Sequence, residues 1–393
     1  MQAGDNAELI ELGAVTAEEL HAAAARKRAE VGVVAVIPGH SSLYVIRGPR
    51  AERRGARAVR VEFNGVDLPE LLARTPREEF FARVKELRLT ARYLGFRGGF
   101  AYLDGWPEEW AMPRRPTSRP VKRGTFAVAG NVAGFYPVDS PGGWNLLGHT
   151  DEHLEHAIAA GDVLRIEPVA YELVSSPLAT RVVAPDYGNL AHGRPVGGPF
   201  DDVAAKVATS AVRGGVELLE CAMIGPRVRF VRDAVLAWCT PDLSLRVERV
   251  RAGEERTFGK IEGGLRAYLA IGDEEGEAIT IARGDRHVID AIAGPHETGI
   301  RELHCEVTPQ LDRVGIRLRP LERVTAPATL KSVGMQCGTV QLHPDGSVVV
   351  MGPDHPVTGG YLQPMTVITS ERWKLAQLMP GERVLLRAQL PGV

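Results

Sequence analysis

Little in this chain of 393 residues is out of balance, and its absences exclude more than its excesses. Cysteine is scarce: Cys221, Cys239, Cys305 and Cys337 lie scattered, with no CxxC pair among them. They fit free thiols in a reducing compartment, not a disulfide framework or a zinc site. A net charge of −2 gives no electrostatic drive towards nucleic acid or an anionic membrane. The basic run from Arg47 to Arg60 reads as a solvated face or loop. No apolar run approaches the length of a membrane span. The first residues, Met1 to Leu12, are acidic and lack the basic-then-apolar order of a secretory signal. The expectation is a cytoplasmic, soluble protein with neither nucleic acid nor membrane as partner.

Several catalytic signatures are also missing. Gly253 to Lys260 has the wrong spacing for a phosphate loop and is followed by Ile261 instead of a hydroxyl. Gly39-His40-Ser41-Ser42-Leu43 lacks the closing glycine of a nucleophile elbow. No Met-Lys-Met biotin-attachment sequence occurs. His153 and His156 among Asp151, Glu152 and Glu155 are spaced as a ligand pair on one helix face, but no third ligand accompanies them, and a solvated polar helix is expected. No cofactor or metal is expected on this chain itself; ATP or biotin would have to come through a partner.

What the chain does have is an internal duplication. One stretch runs Gly124-Thr125, then Tyr136 through Ser140-Pro141-Gly142-Gly143-Trp144, and closes on Gly161-Asp162. The other runs Gly338-Thr339, then His355 through Thr358-Gly359-Gly360-Tyr361, and closes on Gly381-Glu382. A Gly-Thr strand start, a Gly-Gly-aromatic turn and a Gly-acid turn recur in one order, which implies two like domains with a cleft between them as the place for a site. Apolar content of 44% and the chain length support two or three cores. Thr16 and Glu19 form a capping box ahead of a helix over 16–30. Pro76 is placed at the first position of a helix running to about Leu87. From Tyr93 onwards, short apolar runs punctuated by glycine and proline predict a barrel or sandwich. Helices at Phe200 to Val212 and Ser370 to Leu378, with Ser370 as cap, interrupt it. The predicted fold is mainly β with α+β: a small α+β domain with the first strands of a barrel over 1–90, one barrel domain over 91–175 and a second over 176–393.

At Gly95-Phe96-Arg97-Gly98-Gly99-Phe100-Ala101-Tyr102-Leu103, Pro113-Arg114-Arg115 and Phe135-Tyr136-Pro137 through Trp144 the chain resembles allophanate hydrolase subunit 1, the family of KipI and of the B subunit of 5-oxoprolinase. Asp186-Tyr187-Gly188, Leu219-Glu220, Arg266-Ala267-Tyr268-Leu269, Asp312-Arg313-Val314-Gly315 and Thr358-Gly359-Gly360-Tyr361 are similar to that protein's partner, KipA or the C subunit of 5-oxoprolinase. The resemblance implies a fusion of two subunits with two cyclophilin-like barrels, akin to the carboxyltransferase domain of urea amidolyase. It also implies action on 5-oxoproline together with a separate protein, the A subunit of 5-oxoprolinase. Departures occur at Val132-Ala133-Gly134, at His355-Pro356-Val357 and at Asp273-Glu274-Glu275, where the family carries Gln-Thr-Gly, Arg-Gln-Thr and Gly-Gly-Ile.

The Gly-Gly turns offer backbone N–H groups for a carboxylate or oxyanion, since glycine permits positive φ and close approach. The alternative is a tight barrel turn with its aromatic packed inward. Pro113-Arg114-Arg115 with Arg119 offers guanidinium forks suited to a carboxylate, or reads equally as a solvated loop. Arg114, Tyr136, Asp312, Arg313 and Asp354 are the catalytic candidates. Ser140, Gly142, Gly143, Thr358, Gly359, Gly360 and Tyr361 are the substrate-binding candidates. Asp312 and Arg313 also read as an internal ion pair positioning a loop, and His355 beside Asp354 as an acid–base group or an incidental histidine. Three functions stay open. The first is a 5-oxoprolinase or carboxyltransferase-type enzyme acting on a small amide, lactam or carboxylate. The second is a repurposed member catalysing a cyclisation or lyase step in specialised metabolism. The third is a non-catalytic regulator of the kinase-inhibitor type.

Overall fold

The computed structural model describes residues 2–4, 7–39, 41–47, 57–95, 99–152, 154, 158–175, 178–326 and 330–389. Compactness divides the chain out of sequence order. Glu52–Glu172 form one unit, while Met1–Ala51 join Leu173–Val393 in the other.

The Glu52–Glu172 unit is a seven-stranded sheet in the order Asn145–His149, Thr125–Ala129, Val132–Phe135, Ala101–Asp104, Arg88–Leu94, Val163–Pro168 and Arg57–Val61. Its last two strands run parallel. The sheet curls until Glu62 meets His149, each N–H donating to the other's carbonyl at 2.8 and 2.9 Å, so the two edges meet in a single bridge. Alternation sets which side chains turn inward. Phe126, Val128, Leu164 and Ile166 are fully buried in the core, while Arg165 and Glu167 pair outside it at 2.6 Å. Burying each such apolar side chain stabilises the fold by about 1.5–3 kcal/mol. A short helix, Arg77–Val84, adds Phe80 and Val84 to this core. Pro76 serves as its N-cap in extended conformation (φ −53°, ψ 136°), one position earlier than the sequence pattern places it.

In the other unit, a closed barrel repeats this circular order with new residues: Leu362–Val367, Thr339–Leu342, Val348–Met351, Gly315–Pro320, Glu302–Leu311, Arg383–Gln389 and Val288–Ala293. The last two again run parallel. The duplicated sequence signals sit at equivalent joints. Gly124 (φ 81°) donates to the Tyr136 carbonyl at 2.7 Å, and Gly338 (φ 89°) to the Met351 carbonyl at 2.8 Å. Gly161 (φ 90°) donates to Ala91 at 2.7 Å, and Gly381 (φ 87°) to Val307 at 2.8 Å. These four need positive φ, which costs a side chain dearly and glycine little. Each Gly-Gly-aromatic segment leaves a two-stranded ribbon, Ser140–Gly142 with Arg119–Val121 in one copy and Thr358–Gly359 with Val333–Gly334 in the other. The fold is thus mainly β, with two barrels of one topology.

The second barrel occupies only 288–389 of its unit. Residues 179–272 build a separate five-stranded sheet, in the order Ala179–Val182, Glu217–Ala222, Arg266–Gly272, Ala234–Cys239 and Leu245–Val250, covered by the helix Asp202–Ser210. A four-stranded N-terminal sheet carries the helix Ala17–Arg28, whose Thr16–Glu19 capping box is present as its sequence predicts. The helix near Leu378 is shorter than its pattern. Thr369–Glu371 form a 3-10 turn, Arg372–Ala376 the α-helix, and Glu371 rather than Ser370 stands at the cap. No described helix is long and apolar enough to cross a membrane.

Candidate functional site

In the first barrel, Gly142 and Gly143 do not adopt positive φ. Close approach is what requires glycine. A Cβ on Gly142 would overlap the Tyr136 hydroxyl, and one on Gly143 would lie 3.2 Å from both Arg114 Nε and the Arg115 carbonyl. Tyr136 is 1% exposed, and burial raises its phenol pKa while the Trp144 backbone and Arg114 act against the rise. It is therefore a neutral hydroxyl, fit to donate and not to act as a base. The Gly143 carbonyl accepts from Arg115 N–H at 2.8 Å, while its own N–H has no partner among the described residues.

Three arginines crowd this turn, and two are already neutralised. Arg115 pairs with Asp67 at 3.0 Å and Glu70 at 2.5 Å, and Arg119 pairs with the second Asp67 oxygen. Asp67, itself buried, also accepts the Leu146 N–H at 2.7 Å. Asn145 holds the Pro113 carbonyl at 2.9 Å and so fixes the approach to Arg114. Arg114 is exposed and forms no ion pair among the described residues. Ser140 is buried, with its hydroxyl unbonded among them.

The second barrel's turn repeats the backbone pattern with different side chains. Thr358 and Gly359 pair with Gly334 and Val333, and a Cβ on Gly359 would overlap the Gln341 amide nitrogen and sit 2.8 Å from Met335 Sδ. The Gly360 carbonyl accepts from Leu330 N–H at 2.8 Å; its N–H, like that of Gly143, has no partner among the described residues. Tyr361 stacks on His343 with ring centroids 4.1 Å apart and planes 21° from parallel. Burial, with Arg317 adding to it, pushes the His343 pKa down, so its imidazole is neutral. Gln341, His343 and Gln363 belong to no motif. Their signal in the sequence is polar residues beside buried Leu342 and half-buried Leu362 where a barrel strand is due.

Asp312, Arg313 and Asp354 form a different arrangement. Asp312 does not pair with Arg313. Its carboxylate caps its own turn, accepting Val314 N–H at 2.7 Å and Gly315 N–H at 3.0 Å. Arg313 instead grips Asp354 at 2.8 and 3.0 Å, the Gly198 carbonyl at 2.8 Å and Glu220 at 2.9 Å. Burial opposes its charge, but Glu220 and Asp354 outweigh burial and raise its pKa. Glu220 also accepts from Arg266 at 3.1 Å, Tyr268 at 2.7 Å and Phe200 N–H at 2.8 Å. Arg266 reaches on to the Ala376 carbonyl at 2.6 Å, tying the five-stranded sheet to the second barrel. A neighbouring pair, Asp201 and Arg283, meets at 2.5 and 2.6 Å with Gln377 at 2.6 Å. His355 is buried and bonds the Pro356 carbonyl at 2.8 Å, with no part in an Asp354 pair. These charges satisfy one another, as buried charges must.

Among the described residues no group of His, Cys, Asp and Glu is arranged to hold a metal; His153, Glu155 and His156 lie outside them. Burial pushes the Cys239 and Cys305 thiols up to about 12, leaving them inert at neutral pH.

The model of the carboxyltransferase domain, subdomain C and D, matches residues 47–157, and that of subdomain A and B matches 192–275 and 273–388. The chain is 46% identical over 66 residues to the 5-oxoprolinase B subunit of Haemophilus influenzae, with 16% of this chain and 31% of that one covered. It is 38% identical over 92 residues to the 5-oxoprolinase B subunit of Escherichia coli O157:H7, with 22% and 39% covered. It is 24% identical over 270 residues to a putative urea carboxylase of Emericella nidulans, with 49% and 22% covered. The chain thus spans under two fifths of the length of each of these relatives. The crystal structure of TTHA0988 shares the fold at TM-score 0.57 and 24% identity, covering 98% of this chain and 100% of that one. With its two matched models together spanning most of its length, the chain belongs to the carboxyltransferase-domain family.

Proposed function

We propose that the chain is a 5-oxoprolinase B–C-like enzyme of the carboxyltransferase type, acting on a small amide, lactam or carboxylate. The observation that carries this reading is Arg114. It is a guanidinium without an acidic partner among the described residues, lying over Gly143, whose N–H is equally unengaged among them. A cation and a backbone donor side by side suit a carboxylate or the oxyanion of a carbonyl under attack. The neutral Tyr136 hydroxyl lies beside them, beneath Gly142. No covalent nucleophile is invoked: oriented donors stabilise charge as it develops, and a partner resembling the A subunit of 5-oxoprolinase supplies ATP chemistry. On 5-oxoproline, the substrate that the relatives' name implies, water adds across the lactam C–N bond to give glutamate.

The test is glutamate formation from 5-oxoproline by the full chain mixed with such a partner and ATP. Formation that needs both proteins, with KM raised about tenfold or more in Arg114→Ala, supports the reading. No glutamate, alongside a partner proven active with its own B and C subunits, contradicts it.

A further inference from the structure

The two barrels share a topology, so each position in one has a counterpart that shows what the fold itself needs. Asn145 pairs with Val128 as Leu362 pairs with Leu342, and each strand pair then carries an irregularity, between Leu146 and Gly148 in the first and between Val340 and Leu342 in the second. Gln341, His343 and Gln363 therefore stand where the first barrel has Ala127, Ala129 and Leu146. Gln341 and His343 project from the face opposite the barrel core, since the alternate residues Val340 and Leu342 fill that core. Gln363 joins them because its neighbour Leu362 packs against the core and the strand irregularity lies between Leu362 and Met365. In the first barrel this outer face is an apolar patch, where Ala127 and Trp144 pack with Ala129 and Leu146.

In the second barrel the same face is polar and buried. Gln363 is 1% exposed, yet neither its amide oxygen nor its amide nitrogen has a hydrogen-bond partner among the described residues. His343 Nε2 is likewise buried and unbonded among them. Gln341, 3% exposed, directs its amide nitrogen at Met335 Sδ, a weak acceptor, at 3.0 Å. Buried polar groups are normally bonded, and leaving them unbonded destabilises a fold. The topology does not require these residues, because the first barrel makes the same strands with alanine and leucine.

We propose that this outer face of the second barrel, beside the Thr358–Gly360 turn, recognises the edge of a neutral cis-amide, with Gln363 as the group that reads it. A primary carboxamide presents one donor and one acceptor side by side. Its complement is a ligand whose N–H and C=O point the same way. A lactam ring enforces that arrangement, whereas an open-chain secondary amide is held trans. His343 and Gln341 supply further hydrogen-bonding groups on the same face, and Tyr361, stacked on His343, gives an aromatic edge beside them. This deepens the proposed action on a small amide or lactam and rests on it for biological meaning, but it is testable without turnover.

The experiment is binding of 2-pyrrolidinone to the full chain by calorimetry, with N-methyl-2-pyrrolidinone and N-methylacetamide as comparators. The wild type is expected to bind 2-pyrrolidinone and to bind both comparators at least about tenfold more weakly, since each loses one of the two paired hydrogen bonds. Gln363→Leu, which installs the first barrel's residue, is expected to weaken 2-pyrrolidinone binding by a similar factor while its melting temperature holds or rises. His343→Ala and Gln341→Ala, which copy Ala129 and Ala127, serve as second variants and are expected to weaken binding without unfolding. Equal binding of the N-methylated lactam, unchanged binding in Gln363→Leu, no binding by wild type, or a lower melting temperature in Gln363→Leu would each overturn the proposal. Absent glutamate formation with lactam binding intact strikes the proposed function alone. Normal 5-oxoproline turnover in Gln363→Leu strikes this inference alone.

Discussion

Replacing Glu220 with glutamine keeps the size of the side chain, removes its charge and turns one acceptor oxygen into a donor, at the centre of the network that joins the five-stranded sheet to the second barrel. Arg266 has a side chain 3% exposed, and Glu220 is its one carboxylate partner among the described residues, at 3.1 Å; its other side-chain contacts are carbonyls and the face of Phe200. Arg313 keeps Asp354 and is less affected. Removing one member of a buried pair leaves an uncompensated charge, at a cost of about 3–5 kcal/mol. Glu220→Gln should therefore lower unfolding free energy by about that amount in denaturant titrations. The double variant Glu220→Leu with Arg266→Met should recover much of the loss, because it removes both charges. The pH dependence gives a second check. Burial opposes the charge of Glu220, but Arg313 and Arg266 outweigh it and hold its carboxyl below the ordinary 4.5. That contribution is present above pH 4.5 and is lost as pH falls through the depressed native value, so wild type and variant should converge in acid. A Glu220→Gln protein within about 1 kcal/mol of wild type at neutral pH would refute the assignment of this network as a structural clamp.

Two further outcomes follow from single residues. His355 is fully buried, and burial holds its imidazole at about 4 against the ordinary 6.5. The unfolded chain takes up that proton first, so stability should fall by about 3 kcal/mol as pH drops from 6.5 to 4, and a pH series on His355→Gln should lack that component. Arg114 is exposed and has no acidic partner among the described residues, so Arg114→Ala should leave the melting temperature within about a degree while weakening ligand binding by about 1.5–3 kcal/mol. A large fall in melting temperature would instead mark Arg114 as structural.

The barrels were legible because their joints are written in glycine. Gly124, Gly161, Gly338 and Gly381 need positive φ, and that requirement leaves matched Gly-Thr and Gly-acid signals in both copies. Of the two reasons for glycine at the Gly-Gly turns, close approach holds and positive φ does not: side chains of Tyr136 and Gln341 fill the space a Cβ would need. Contacts between residues distant in sequence were not legible. Nothing local tells that Arg313 pairs with Asp354 and Glu220 while its neighbour Asp312 caps a turn. Ser370 has the chemistry of a cap, but the chain enters through a 3-10 turn, and the α-helix begins two residues later. Gln341, His343 and Gln363 gained meaning only when superposition of topology set them against Ala127, Ala129 and Leu146.

The most direct test of the account is a glycine-labelled amide spectrum of the full chain titrated with 5-oxoproline. The account predicts saturable shifts of the Gly143 and Gly360 N–H signals, the two turn donors left without partners among the described residues, with the Gly143 shift lost in Arg114→Ala. Saturable binding of 5-oxoproline that moves neither signal would contradict it.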